Sequence, residues 1–260
     1  MEKTTTENAA GMTPEGGKDF WNEKAKTFPR YEAGEDNYEA GILRTIREYG
    51  VDFRGRTVLD VGCGCGMYTI RLAMEASHVT AVDISEQMLE ILRHDAESHR
   101  LSNIRYVLSG WEEFEDHGCY DVVFCSMTPA IHDDATRRKL LRHARGWTVF
   151  MGFAGRMSSN VLNGLFAHYQ VTPKVFNNGP EMRHWLEDQG ISHISRLIEG
   201  QWVVPATREG MISSCTAMLM PYGVTPDPEY LKEYIEQFRT EPDKYVETTD
   251  YSIELLLWEK

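Results

Sequence analysis

The chain has 260 residues, 42% of them hydrophobic, and carries 40 acidic against 27 basic side chains for a formal charge of −13. That length and apolar fraction suit one domain with insertions, while the acidic excess works against a nucleic-acid partner unless a local basic patch overcomes it. No apolar run approaches the ~20 residues of a membrane span, the N-terminus lacks the basic-then-apolar order of a signal peptide, and five cysteines without framework spacing point to a reducing cytoplasm.

Residues 1–18 are polar and glycine-rich and read as a tail. Residues 19–31 gather Phe20, Trp21, Phe28 and Tyr31 into a short helix that stops at Phe28-Pro29, and residues 37–49 set Ile42, Leu43, Ile46 and Tyr49 at helical spacing. A short β-branched run, Val58 to Val61, predicts a buried strand, followed by a helix over Tyr68–Glu75. A second strand over Val79–Val82 leads to a helix over 86–99 with Ser85 as N-cap. Strands are expected at Ile104–Leu108, Tyr120–Ser126 and Trp147–Phe153, with a basic helix over 137–145 whose Leu140, Leu141 and Ala144 face the sheet. Its arginines then form a solvated face. Later the alternation breaks. Helical patterns cover 161–169 and 181–189, the second closing at Gly190, and 193–204 is strand-like. Two more helical patterns fall within 207–240, and Ser252–Trp258 makes a last strand. The order is that of an α/β fold: a Rossmann-like, doubly wound sheet of seven strands.

The most informative stretch is Asp60-Val61-Gly62-Cys63-Gly64-Cys65-Gly66, where a buried strand ends in an acid and glycines recur at every second position. A dinucleotide loop needs a third glycine where this chain has Met67. An acid at position 60 would repel a pyrophosphate but suits a cationic ligand, and no Gly-Lys-Ser/Thr follows to make a P-loop. The second strand ends in Asp83, placed where an acid can accept both hydroxyls of a ribose. Cys63 and Cys65 resemble a chelating pair, but they lie between loop glycines and no Cys/His cluster nearby completes a site, so no metal is expected.

On Asp60, Gly62, Gly64 and Gly66, which match the pattern acid-x-Gly-x-Gly-x-Gly, the chain resembles the class I S-adenosylmethionine-dependent methyltransferases. The resemblance is good over residues 50–155 and looser beyond. It implies a mostly parallel sheet with its last strand antiparallel, S-adenosyl-L-methionine as cofactor, S-adenosyl-L-homocysteine as product, and Asp83 on the adenosyl ribose. Cys63, Ile84 and Met88 then border the cofactor, and Gly110 with Trp111 replaces the acid many members use for adenine. Ser126 lies at the fourth strand's tip, where methyl donor and acceptor meet.

In the turn Ser126-Met127-Thr128-Pro129-Ala130-Ile131-His132, Ser126 and Thr128 are candidates to orient a polar acceptor and His132 to remove its proton. The lid is expected outside the core sheet: residues 1–49 as tail and lid helices, with cap insertions at about 156–180 and 206–240 in a domain over 50–260. Trp21, Tyr31, Arg156, Arg208 and Tyr222 are the candidate acceptor contacts, the arginines as clamps for a carboxylate. The expected activity is methylation of a small-molecule acceptor in the cytoplasm, with no nucleic-acid or membrane partner, and a homodimer is compatible with it. A protein or tRNA methyltransferase and a catalytically silent S-adenosylmethionine-binding protein are the alternatives.

Overall fold

A computed structural model describes residues 14–260, so most of the expected tail lies outside the described residues. Helices α1 (Pro14–Lys24) and α2 (Tyr38–Glu48), separated by a 3-10 turn at Ala25–Thr27, precede the sheet. There follow β1 (Thr57–Val61), α3 (Thr69–Ala73), β2 (His78–Asp83), α4 (Glu86–Ser98), β3 (Ile104–Leu108), β4 (Tyr120–Ser126), α5 (Asp134–His143) and β5 (Ala144–Phe153). The remainder comprises β6 (Ser158–Ser159), α6 (Leu162–His168), α7 (Asn178–Asp188), β7 (Ile194–Ala206), α8 (Arg208–Leu219), α9 (Pro228–Tyr234), β8 (Arg239–Glu241) and β9 (Lys244–Glu259).

The strand order is β3-β2-β1-β4-β5-β9-β6, with β7 and β8 also pairing β9. Strands β1 to β5 pair in parallel, with registers such as Val61↔Val82, Val61↔Cys125, Asp83↔Leu108 and Ser126↔Met151. Their carboxyl ends therefore share one edge. Central strands covered on both faces must be apolar throughout, and Val58, Leu59, Val61, Val122, Val123 and Phe124 are all buried. Strand β9 runs antiparallel to β5: the Lys260 amide donates to Gly146 and the Ala154 amide to Ser252.

Side chains set the helix starts. Asn37 accepts from the Ala40 amide at α2, Ser85 from the Met88 amide at α4, and Asp133 and Thr136 form a capping box at α5. The basic residues near α5 are met by acids: Arg138 by Asp134 at 2.7 Å, Arg137 by Glu181 at 3.6 Å and Arg145 by Asp121 at 2.9 Å. The Arg145 guanidinium, with the Thr57 amide and hydroxyl, holds the Asp121 carboxyl well below the usual carboxylate range. That contact ties the start of β1 to β4.

Two expectations change. Among the described residues nine strands form rather than seven, because β9 is 16 residues long and its first half recruits the short β6 and β8. Strand β5 begins at Ala144 because Tyr120 of β4 pairs there through a bulge, so α5 ends at His143.

The chain divides into two compact units, one of the described residues 14–152 with 181–195 and 255–260, the other of 153–180 with 196–254. In the first, Leu59, Trp111, Phe114, Val123, Leu140, Trp185 and Trp258 share one core. In the second, Leu165, Phe166, Met211, Cys215, Leu219, Leu231, Ile235 and Tyr245 form another. Among the described residues no helix is long and apolar enough to cross a membrane.

Candidate functional site

The glycine loop joins β1 to α3, and Gly62, Gly64 and Gly66 all take positive φ, at 69°, 54° and 86°. Two of them are also packed too closely for a side chain. A Cβ on Gly62 would lie 2.6 Å from Thr128 Cβ, and one on Gly66 would overlap Leu92 Cδ1. Gly64 differs: its nearest neighbour is Phe28 Cε1 at 3.6 Å. The loop is thus clamped at both ends and open in the middle, a cradle in which the backbone can approach a ligand.

Asp83 organises that cradle. Its Oδ2 accepts from the Gly64 amide at 2.8 Å and its Oδ1 from the Ser85 amide at 2.8 Å. A carboxylate has about four lone-pair positions, so acceptor capacity remains for the two hydroxyls of a ribose. Burial pushes the Asp83 carboxyl upward, and backbone amides oppose that shift.

Asp60 reaches the loop from beneath. It is 3% exposed and accepts from Thr69 Oγ1 at 2.6 Å, binding the end of β1 to the start of α3. Burial, reinforced by the Asp83 charge, pushes its carboxyl up to about 7 against the Thr69 hydrogen bond. An acid raised above its unfolded value binds its proton in the folded state first. Asp60 therefore favours folding most below about pH 4 and loses that contribution as pH rises to about 7, on the order of 4 kcal/mol at most. Urea unfolding at pH 5 and pH 8 should show a smaller pH difference in Asp60→Asn than in the wild type. An unchanged difference would remove Asp60 as its source.

The N-terminal elements lie against the loop. Asn22 Oδ1 accepts from Ser85 Oγ at 2.7 Å, and Ala25, Trp21 and Phe28 pack with Cys65 and Met88. Met88 packs in this core, 1% exposed with its sulfur 3.1 Å from Cys65 Sγ. The reason is the Ser85 cap, which starts α4 at a phase that turns Met88, Leu89 and Leu92 inward together. Cys63 packs against Ile70, Ala81, Leu89 and Leu92. Tyr31 lies against His99 at the far end of α4, with Arg71 over its ring at 5.3 Å, and so serves as an anchor for its segment. Arg71 adds hydrogen bonds to the Glu32 and Gly34 carbonyls and to Asn37.

At the third strand edge Ile84 approaches Gly110, 3.8 Å from where its Cβ would be, and Glu113 closes the other side. Trp111 does not offer its indole there. It is 4% exposed, stacked on Phe114 with ring centroids 5.6 Å apart, and its Nε1 donates to the Thr136 carbonyl. Lys139 lies 5.1 Å over the same ring and donates to the Trp111 and Glu112 carbonyls. Trp111 is thus held by α5, through the Thr136 carbonyl and Lys139.

The fourth edge turns sharply. Met127 adopts a left-handed φ of 49°, a conformation that costs a non-glycine residue about 1–3 kcal/mol, and its amide donates to the Met151 carbonyl. Ser126 remains partly exposed. Thr128 is buried, accepting from the Ala130 amide at 3.3 Å and packing on Gly62, so the turn and the glycine loop support each other. His132 Nε2 lies 3.2 Å from Glu112 Oε1, both half-exposed. Tyr68, just past the loop, is buried on Phe124 at 5.0 Å, beside Ser126 and Tyr38.

The remaining expected acceptor contacts belong to the second unit. Arg208 is not a free clamp: it pairs with Glu236 at 3.0 Å and donates to the Lys232 carbonyl. Tyr222 packs on Phe166 and its hydroxyl accepts from the Lys174 amide, a core role. Arg156 is exposed. Sequence reasoning missed Glu112 beside His132, Thr69 under Asp60, Asn22 at Ser85, and the buried Tyr68 phenol. Of these, only a hydroxyl on the same short helix as the loop, Thr69, had any local signal.

A parallel sheet with a glycine cradle and a ribose-competent acid on neighbouring strands defines a nucleoside-binding α/β enzyme of the methyltransferase type. Residues 58–149 match the family described as a methyltransferase domain. The chain is 30% identical over 182 residues to the ubiquinone biosynthesis O-methyltransferase of Coxiella burnetii (strain Dugway 5J108-111), covering 64% of this chain and 68% of that protein. For the ubiquinone biosynthesis O-methyltransferase of Acinetobacter baylyi the identity is 29% over 184 residues, 63% of this chain and 77% of that protein. A protein named as a methyltransferase in Geobacillus sp. (strain WCH70) is 32% identical over 126 residues, 47% of this chain, and the match spans about half, 49%, of that protein's length. Magnesium protoporphyrin IX methyltransferase from Synechocystis PCC 6803, solved with bound S-adenosylhomocysteine, shares the fold with a TM-score of 0.57 at 18% identity, covering 95% of this chain and 99% of that one. The chain belongs to the class I S-adenosylmethionine-dependent methyltransferases. It is an enzyme with S-adenosyl-L-methionine as methyl donor.

Proposed function

We propose that this enzyme O-methylates a small phenolic acceptor seated against the Ser126–His132 turn. The observation that carries the reading is the His132–Glu112 pair, 3.2 Å apart where the segments that follow β3 and β4 come together. With Nε2–H donating to Glu112, Nδ1 keeps the lone pair needed to take a hydroxyl proton. The similarity to ubiquinone biosynthesis O-methyltransferases supports a hydroxyl acceptor on a small molecule.

In this reading Asp83 accepts from the ribose hydroxyls, Gly62, Cys63, Gly64 and Gly66 present backbone to the cofactor, and Ile84 and Gly110 flank adenine. S-adenosylmethionine, when bound, supplies a methyl group on a cationic sulfur. His132 deprotonates the acceptor hydroxyl and Ser126 orients it, while Thr128 acts through the turn it supports. Attack on a cation disperses charge, so exclusion of water assists it. Trp21 and Phe28, packed over the loop, provide part of that shield.

The test is release of S-adenosylhomocysteine with 3,4-dihydroxybenzoate and related phenols as acceptors. His132→Ala should lower kcat by roughly 10²–10⁴-fold with S-adenosylmethionine affinity unchanged. An unaltered rate over pH 6–9 would remove His132 from the base role. Turnover confined to protein or tRNA acceptors would overturn the small-molecule reading. Cofactor binding without turnover on any acceptor would leave a silent binding protein instead.

A further inference from the structure

We propose that β7 is the seam of a twofold homodimer, in which two copies pair their β7 strands antiparallel about Gly200. Strand β7 is 13 residues long, and among the described residues its sheet partner is β9 alone, so its other edge meets no strand. Such an edge pairs with another chain unless lysine, proline, a bulge or a cover blunts it. Between Arg196 and Val204 there is no lysine or proline. Instead Leu197, Val203 and Val204 are 53%, 60% and 51% exposed.

The residues themselves select a second copy of this chain. Two antiparallel strands related by a twofold axis perpendicular to the sheet pair residues at equal distances either side of a shared centre. A centre at Gly200 sets Leu197 against Val203 on one face and Ile198 against Trp202 on the other, with Glu199 opposite Gln201. Moved one residue earlier, the centre puts Glu199 against its own copy. Moved one later, it puts Glu199 against Val203. Apolar cross-strand pairs favour pairing and like charges placed opposite disfavour it, so the side chains fix the register at Gly200.

Packing and charge agree with that centre. A Cβ on Gly200 would overlap the Tyr251 hydroxyl, and the Tyr251 ring stacks on Trp202 with centroids 4.4 Å apart. One face beside the axis is therefore already filled from within each copy, and the Trp202–Tyr251 stack would extend across the seam onto Ile198. Arg196 and Glu199 cancel, which leaves the stretch from 196 to 204 neutral in a chain of −13. Net charge of that size holds copies apart, and a neutral apolar edge opposes their association least.

The experiment is sedimentation equilibrium on the full-length protein, joined to a disulfide test of the register. The wild type should be a dimer at about 100 µM and dissociate on dilution, with a Kd on the order of 10 µM for an interface at the small end of the range. Val203→Lys should be monomeric at the same concentration. Its unfolding temperature, measured at dilution, should match the wild type, since Val203 is mostly exposed within one copy. In a Cys119→Ser background, which removes the exposed native thiol, a mixture of Leu197→Cys and Val203→Cys chains should cross-link on mild oxidation, and neither should alone. A wild type that stays monomeric at the higher concentration overturns the proposal, as does a dimer that survives Val203→Lys. Cross-links in either single variant alone, or none in the mixture, overturn pairing about Gly200.

Discussion

Replacing Gly66 with alanine is expected to cost the fold roughly 2–5 kcal/mol, combining the left-handed backbone penalty with overpacking of a filled core. Gly66 has φ 86°, and a Cβ there would overlap Leu92 Cδ1, with Cγ at 3.1 Å. Leu92 cannot step aside freely, because it is fully buried with Ile70, Ala81 and Leu89. Set against a total stability of about 5–15 kcal/mol, such a loss would be visible as a large fall in the urea midpoint. A double-mutant cycle separates the two causes. Leu92→Ala alone should destabilise by about 2–5 kcal/mol, and the pair should lose less than the sum because the methyl gains room while the φ penalty stays. Strict additivity would show that the Leu92 contact is not the source. Gly64→Ala provides the contrast: its Cβ meets only Phe28 at 3.6 Å, so its main effect should fall on cofactor affinity.

Asp83→Ala should weaken S-adenosylmethionine binding by about 1–3 kcal/mol, roughly 5- to 150-fold. The carboxylate has two tasks. It accepts from the Gly64 and Ser85 amides, which holds the open centre of the loop against the start of α4. Its remaining lone pairs are the acceptors proposed for the ribose. Asp83→Asn separates the tasks in part, since an amide nitrogen would face one of those backbone donors and leave it unpaired. Calorimetry on both variants, with unfolding curves for each, distinguishes a loosened loop from a lost ribose contact. Unchanged affinity in Asp83→Ala would remove Asp83 from the ribose role.

Much of the first unit was legible before folding, because its signals are local. Strands β3 and β4 fall at the expected residues, and β1 and β2 within one residue, since short β-branched runs between glycines and caps leave little alternative. Ser85 as a cap and the glycine loop as a clamp are likewise backbone chemistry confined to a few neighbouring positions. The early start of β5 and the long β9 were not legible, because strand ends are set by partners distant in sequence: Tyr120 for Ala144, and the short β6 and β8 for the first half of β9.

The candidate site divides the same way. Asp60, the three loop glycines and Asp83 were readable, as spacing alone dictates a close backbone approach flanked by an acid. Trp111, Met88, Tyr31, Tyr222 and Arg208 could not be placed from sequence, because aromatic, sulfur and guanidinium groups suit a pocket and a core equally well. Their partners, Phe114, Cys65, His99, Phe166 and Glu236, became known only from the fold.

By itself, the amino-acid sequence determined the order of the sheet's first five strands and the methyl donor, because those depend on periodicity and on backbone conformations that few residues allow. The tertiary structure alone decided which side chains meet at the strand tips. It placed Glu112 on His132, Thr128 under Gly62 and a buried Tyr68 phenol beside Ser126. Such juxtapositions arise from packing between elements far apart in the chain, where distance in sequence carries no record of distance in space.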